Sequence, residues 1–332
     1  MDKFKIYSHG DISNFVNPRE GETKIGEKVR YLNSLDDLHR SDAKFVVFGI
    51  PEDIGVRANF GIGGTKTAWS ATLKALLNMQ SNPFFDGQNL LVLGHLEIDE
   101  PSDKSLESLR YKVGVIDTLV CSIVERIVSV NKIPIIIGGG HNNALGAIWG
   151  TSKALKSKVN VVNIDAHTDM RKAEGRHSGN PFTYAIQNGY LDHYRVFGLQ
   201  QNYLNAQFPE LVRTNSKIRA FYFEDLLRSR QNILSNWSNF VADLPSPCGL
   251  EVDLDSIAHV LSSASSPSGF SLSEVRAMLL ASEKAFQYLH ICEGATELTD
   301  GRNDPTTGKT IAFLVVDFIK ALRPHISQQP ST

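Results

Sequence analysis

The sequence predicts one α/β domain in three layers, a mainly parallel β-sheet covered by helices on both faces. Three observations lead there. Short apolar, β-branched runs alternate with helix-length amphipathic stretches. No break in composition, repeat or low-complexity tract divides the 332 residues. Finally, clusters of Gly, Asp and His follow the ends of the apolar runs, where open α/β sheets collect their ligand sites.

The strand candidates, in order, are 45–49, 90–93, 134–137, 160–164, 195–197, 218–221, 249–253 and 288–291, each a short run bounded by polar or glycine residues. Between them the periodicity predicts helices over 66–79, 106–130, 142–156, 223–240, 271–285 and 308–322. Residues 1–40 read as an irregular lead-in and 328–332 as a frayed tail, within a single domain over 1–332.

Composition narrows the function. The chain is 42% hydrophobic and 21% charged with a net charge of −2, the balance of an ordinary globular enzyme without the basic stripe of a nucleic-acid binder. The longest apolar runs, 133–137 and 311–316, are far too short to cross a membrane, and the polar start Met1-Asp-Lys-Phe has no signal-peptide core. Cys121, Cys248 and Cys292 are odd in number and show no metal-type spacing, which suits reduced, buried thiols. A cytoplasmic protein with a small-molecule substrate is expected, with neither nucleic-acid nor membrane partner.

The chemistry sits in three segments. Gly138-Gly-Gly-His141-Asn-Asn follows one strand, Asp165-Ala-His167-Thr-Asp169 follows another, and Asp253-Leu-Asp255 ends a third. Residues two apart in an extended segment face the same way. Asp165, His167 and Asp169 can therefore share a cavity with Asp253, Asp255 and His141. So many carboxylates are prohibitively costly to bury uncompensated, and metal cations resolve the conflict. An oxygen-rich set with two imidazoles suits Mn²⁺ better than a tetrahedral thiolate zinc site. Bridging carboxylates would let these ligands serve two ions that share a hydroxide. Taken singly, Asp-x-His or Asp-x-Asp is usually a capping or loop element. The glycine run could have cradled phosphate, but it lacks the Lys-Ser/Thr of a P-loop.

In order and spacing these segments resemble the metal motifs of the arginase, agmatinase and formimidoylglutamase family, over roughly residues 45–318. The resemblance implies an arginase-like three-layer fold with two Mn²⁺ per chain. His141, Asp165, Asp169 and Asp253 would hold one ion; Asp165, His167, Asp253 and Asp255 would hold the other. It further implies that Glu293 binds the amidinium of the substrate, that Asp169 shuttles a proton, and that His177 is an exit route for it. Relatives commonly assemble as homo-oligomers, which is the expectation here.

Departures from the pattern are specific. Gly140 stands where the family has an outer-shell acid before the histidine, and Ala258 replaces the third acid of Asp-x-Asp-x-x-Asp. Glu251 adds an acid on the same strand face as Asp253, so a Glu251/Asp253 register competes with the preferred Asp253/Asp255. The family's His-Gly-Thr-Pro-Phe aligns with Ser178-Gly-Asn180-Pro-Phe182, displacing the histidine by one to His177.

For the substrate, Arg171 lies two residues past Asp169, where a guanidinium can grip a carboxylate in a two-pronged bond. The segment from Gly198 to Tyr203 lacks the acids that arginases use for a substrate ammonium. The stretch from Ile50 to Gly61, with Asn142-Asn143, looks most like formimidoylglutamases. Arg57 could serve a second carboxylate with Asn59 beside it; Ser178 and Asn180 complete the expected substrate contacts, and Arg176 is a spare candidate. The expected reaction is hydrolysis of N-formimidoyl-L-glutamate to L-glutamate and formamide. The rivals are a urea-releasing guanidino hydrolase and a metal-poor relative that serves as an interaction subunit. A deacetylase would need a His-His relay that Gly140-His141-Asn142 does not supply.

Overall fold

A computed structural model describes residues 3–228 and 232–322. Its sheet has nine strands: β1 Lys3–Ile6, β2 Phe45–Gly49, β3 Leu90–Glu97, β4 Ile133–Ile137, β5 Val159–Ile164, β6 Leu191–Leu199, β7 Ile218–Tyr222, β8 Cys248–Asp253 and β9 Phe286–Cys292. Their order across the sheet is β1-β3-β2-β4-β9-β8-β5-β6-β7. Only β1 runs antiparallel, against β3; the other pairings are parallel.

Alternate residues of the central strands feed two separate cores. Phe45 and Val47 of β2, and Ile135 and Ile137 of β4, face one core with the helices Ala68–Leu77 and Thr307–Leu322. Val46, Phe48 and Ile136 face the other, with Leu106–Ser129 and Ala144–Leu155. A strand buried on both faces must be apolar throughout, which is why these segments read as unbroken runs. The three-layer reading therefore holds. Among the described residues no helix is long and apolar enough to cross a membrane, and the three cysteines are free and buried.

Two expectations change. The lead-in is not irregular: β1 adds an edge strand, and a helix His9–Ser13 follows, capped by Ser8 and Asp11. With Lys3 and Lys5 alternating with Phe4 and Ile6, β1 is a short, charged edge strand, and its Phe4 packs edge-on against Phe48 at 6.1 Å. The single helix expected over 223–240 is two, Phe223–Arg228 and Ile233–Ala242, the second capped by Asn232. The expected tail at 328–332 lies outside the described residues.

The topology places the site. The chain builds one half-sheet up to β4, then leaves to build the β5-β6-β7 half, and only later fills the gap with β8 and β9. The loops after β4 and β5 thus diverge around a crevice at the carboxyl ends of the strands, the switch point where such sheets bind ligands.

Candidate metal centre

Three strands, β4, β8 and β5, deliver the candidate ligands from their carboxyl ends, and β9, between β4 and β8, delivers Glu293 beside them. Gly138 and Gly139 have φ of 89° and 70°, so the chain turns sharply out of β4 in a region open mainly to glycine. That turn sets His141 at the start of a short 3₁₀ segment, fully buried. Its Nδ1 lies 2.8 Å from Asp169 Oδ2, 3.1 Å from Asp253 Oδ2 and 3.4 Å from Asp165 Oδ2. A second group meets beside it: His167 Nδ1 is 2.9 Å from Asp255 Oδ2 and 3.7 Å from Asp165 Oδ1. Ligand atoms of His141, Asp165, Asp169 and Asp253 form one cluster, and those of Asp165, His167 and Asp255 another, with Asp165 common to both.

These atoms fit divalent cations. Burial, then the like charges of Asp255 and Asp165, holds the Asp253 carboxyl well above the ordinary range. Burial followed by Asp165 raises Asp169 in the same direction. All the acids cannot ionise together unless positive charge joins them. Among the described residues, both ring nitrogens of His141 crowd carboxylate oxygens without a well-aligned hydrogen bond, and buried Oδ1 of Asp255 has no hydrogen-bond partner, as ligand atoms or their immediate neighbours would. Glu251 does not join the set. It lies behind it on β8, accepting hydrogen bonds from Tyr288 Oη at 2.7 Å and His290 Nδ1 at 2.6 Å, with its Oε2 3.6 Å from His141 Nε2. The structure accordingly favours Asp253 and Asp255 over the Glu251 register.

The ligand carriers are themselves held. Asn163 Nδ2 donates to Asp165 Oδ2 at 2.7 Å, and the backbone N–H of His167 donates to Asp165 Oδ1 at 2.6 Å. The N–H of Asp255 donates to Asp253 Oδ1 at 2.9 Å. Asp169 and Glu293 both adopt left-handed backbone, with φ of 45° and 63°. Such conformations cost free energy in non-glycine residues and are enriched at functional sites, although Phe60, Asn131, Lys156 and His259 adopt them here as well.

A cavity of about 980 Å³ opens over the clusters, lined among others by Asp169, Asp253, Asp255, Glu293, Arg171, Lys172, Asn59, Ser178 and Tyr203. Glu293 Oε1 accepts from the backbone N–H of His141 at 2.8 Å, and burial ahead of all else pushes its carboxyl up to about 8. Asn59 Nδ2 donates to Ser178 Oγ at 3.2 Å on the same wall. Tyr203 stacks on His167 with ring centroids 4.7 Å apart.

Other predicted residues are placed elsewhere. Arg57 does not line the cavity: its Nε donates to Asp53 at 2.8 Å and its Nη2 to both oxygens of Glu100, so its charge is already matched. Arg176 is buried, bonded through Nε and Nη2 to Asp117 at 2.8 and 3.2 Å, and through Nη2 to the Asn142 carbonyl at 2.9 Å. Asn180 accepts from Arg176 Nη1 and donates to the carbonyls of Lys172 and Gly175, bracing a loop rather than facing the cavity. His177 is also absent from the lining. It is buried, its Nδ1 accepts from the Gly179 N–H at 3.1 Å, and burial ahead of Arg110, Arg176 and Arg171 pulls its imidazole down to about 4. Its Nε2 lies 3.7 Å from Oε1 of Glu174, which lines the cavity, so a neutral His177 reaches the cavity only through that carboxylate.

Sequence reading missed two participants. Lys172 lines the cavity next to Arg171, and Glu52 reaches the glycine turn from the loop after β2. Pro51-Glu52-Asp53 directly after a buried strand was the available signal for Glu52.

The arginase family model matches residues 43–315. This chain belongs to the arginase family. Within it, the chain is 27% identical over 238 residues to the formimidoylglutamase of Hahella chejuensis, covering 68% of this chain and 66% of that protein. It is 30% identical over 184 residues to the formimidoylglutamase of a Geobacillus strain, covering 54% of this chain and 53% of that one. The chain thus spans about half to two thirds of the length of these two relatives. Among solved structures, Trypanosoma cruzi formiminoglutamase with Mn²⁺ superposes with a TM-score of 0.73 at 19% identity, over 91% of this chain and 100% of that one. Formimidoylglutamase from Bacillus subtilis gives 0.73 at 15% identity, over 92% and 93%. At those identities the superpositions speak for the family's fold alone.

Proposed function

We propose that this chain uses two Mn²⁺ to hydrolyse a linear amidine bearing two carboxylates, N-formimidoyl-L-glutamate, to L-glutamate and formamide. One observation carries this reading: Arg171 and Lys172 line the cavity over the metal cluster, and among the described residues neither side chain has a carboxylate partner. The acids nearby on that wall have partners of their own, Glu174 with Arg110 at 3.2 Å and Glu210 with Arg213 at 2.6 Å. Two exposed cations beside an acid-rich floor suit a substrate that is positive at one end and doubly negative at the other. The curated relatives named formimidoylglutamase support the same choice.

Bound divalent ions supply Lewis acidity and a nucleophilic water at neutral pH. The rest belongs to the chain. Glu293 has one oxygen anchored by the His141 N–H, which leaves the other to accept from an amidinium N–H. That bond localises positive charge on the carbon to be attacked and fixes its plane. Asp169, on the cavity wall, would take a proton and return it to the departing nitrogen. Arg171 meets one substrate carboxylate and Lys172, in place of Arg57, the other.

The test is an assay of Mn²⁺-saturated protein on N-formimidoyl-L-glutamate, arginine and agmatine, with formamide and urea measured separately. Formamide from the first substrate alone is expected. Urea from arginine or agmatine ends the substrate assignment, and protein that retains no metal ends the enzymatic one.

A further inference from the structure

The glycine turn that carries His141 has an acid after all, delivered from another loop. Glu52 is buried between β2 and the helix Ile54–Ala58. Its Oε1 accepts from the backbone N–H of Gly140 at 3.0 Å, from Asn143 Nδ2 at 2.8 Å and from Asn142 Nδ2 at 3.2 Å. Its Oε2 accepts from the Gly55 N–H at 3.0 Å. Every partner is a donor, so only an acceptor on both oxygens satisfies them, and a carboxylate is the side chain with that property.

We infer that Glu52 is a positioning residue of the metal centre, holding His141 and Glu293 in mutual register through the Gly139–Asn143 turn. Gly140, next to His141, is bonded to Glu52 directly, while Gly139 accepts from the Glu293 N–H at 3.1 Å and His141 donates back to Glu293. One buried carboxylate thus sets the turn on which both a ligand and the amidine-binding acid depend.

The glycine at 140 follows from this arrangement. A Cβ there would stand 2.6 Å from Asn142 Oδ1, 2.9 Å from Val56 Cγ2 and 3.2 Å from Glu293 Oε1. At Gly139 it would meet Asn143 Nδ2 at 2.2 Å and Glu52 Oε1 at 2.6 Å. The space that a side chain at 140 would need is filled by Asn142, which donates to Glu52 through its Nδ2, and by Val56 and Glu293, while Glu52 itself crowds position 139. Gly140 is therefore a substitution compensated by Glu52, not an erosion of the site. This inference rests on the metal-dependent reading above.

The experiment compares wild type, Glu52→Gln, Asn143→Ala and Gly140→Asp as full chains. Manganese stoichiometry is read by elemental analysis after gel filtration, Mn²⁺ Kd by calorimetric titration with Mn²⁺ alone, and kcat and KM where turnover is found. In Glu52→Gln the amide must turn its NH₂ toward a donor, so Mn²⁺ Kd should rise roughly 10- to 100-fold. At saturating Mn²⁺, kcat/KM should fall as well, because the amidine-binding Glu293 shares the turn even though Arg171 and Lys172 are untouched. Asn143→Ala keeps the carboxylate and removes one donor, so a smaller rise in Kd is expected and the variant covers a failure of Glu52→Gln to fold. Gly140→Asp, although it restores an acid, should weaken Mn²⁺ binding. A folded Glu52→Gln with unchanged Kd, a Gly140→Asp that binds more tightly, or a KM effect without a Kd effect overturns the inference. Wild type that binds two Mn²⁺ yet releases urea fails the substrate reading and leaves Glu52 to be judged on Kd; wild type that binds none overturns both.

Discussion

Replacing Arg176 by Met separates a buried brace from a substrate-binding arginine. The methionine keeps most of the apolar stem but removes the guanidinium that bonds Asp117, the Asn142 carbonyl and Asn180, and that lies 5.0 Å from the Tyr184 ring centre. Removing one partner of a buried pair costs about 3–5 kcal/mol, because the other charge is left uncompensated. Unfolding entropy of about 2.1 cal/mol/K per residue gives roughly 0.7 kcal/mol/K for a chain of this length, so Tm should fall by about 4–7 °C. Burial already raises the Asp117 carboxyl with Arg176 beside it, and without Arg176 it rises further. The folded variant then holds a proton that the unfolded chain releases above the ordinary value of 3.8, so stability declines as pH rises from there toward the raised folded pKa. Scanning calorimetry at fixed saturating Mn²⁺, at pH 5.5 and pH 8, should show the larger loss at pH 8. The double change Asp117→Leu with Arg176→Met should recover much of the loss, since apolar replacements of buried pairs are often neutral. An unchanged Tm together with a tenfold higher KM for the acidic substrate would refute the brace and return Arg176 to the substrate.

Three further outcomes are expected. Arg171→Ala should raise KM roughly 10- to 100-fold, the equivalent of a charge-assisted bond of about 1.5–3 kcal/mol, with Tm unchanged; Lys172→Ala should raise it about fivefold or less, and steady-state kinetics check both. Arg57→Leu should lower Tm by stripping buried Asp53 of a partner while leaving KM within about twofold, the reverse of the Arg171 result. Mn²⁺ added to metal-free protein in weak buffer at neutral pH should release protons, because Asp169 and Asp253 sit above the ordinary carboxylate range without cations; a pH electrode that records no release, or Mn²⁺ binding that tightens on acidification, contradicts the site.

Local features were the legible ones. Asp165, His167 and Asp169 could be grouped because strand alternation is a property of neighbouring residues, and the β4, β5 and β8 runs were apolar enough to mark their own ends. Long-range pairing was not legible. Arg57 and Arg176 looked free for substrate, yet Glu100 lies 43 residues from the first and Asp117 lies 59 from the second. Glu52 meets Gly140 across 88 positions, so the compensation for the missing acid had no local trace. The edge strand β1 escaped for another reason: charged and half-exposed, it gains its strand character from pairing with β3 rather than from its own composition.

The placement of β8 and β9 bears on how the centre is born. During synthesis, residues through β4 and the β5–β7 segment emerge as two sheet fragments with no ladder between them, since β9 and β8 occupy the seam. His141 stands on one fragment and Asp165 on the other, and their partners at 253, 255 and 293 arrive last. A cation held by both fragments could therefore be caged only once that seam has closed, and a nascent chain halted before β9 would have the makings of a ligand set but no common cage to put it in.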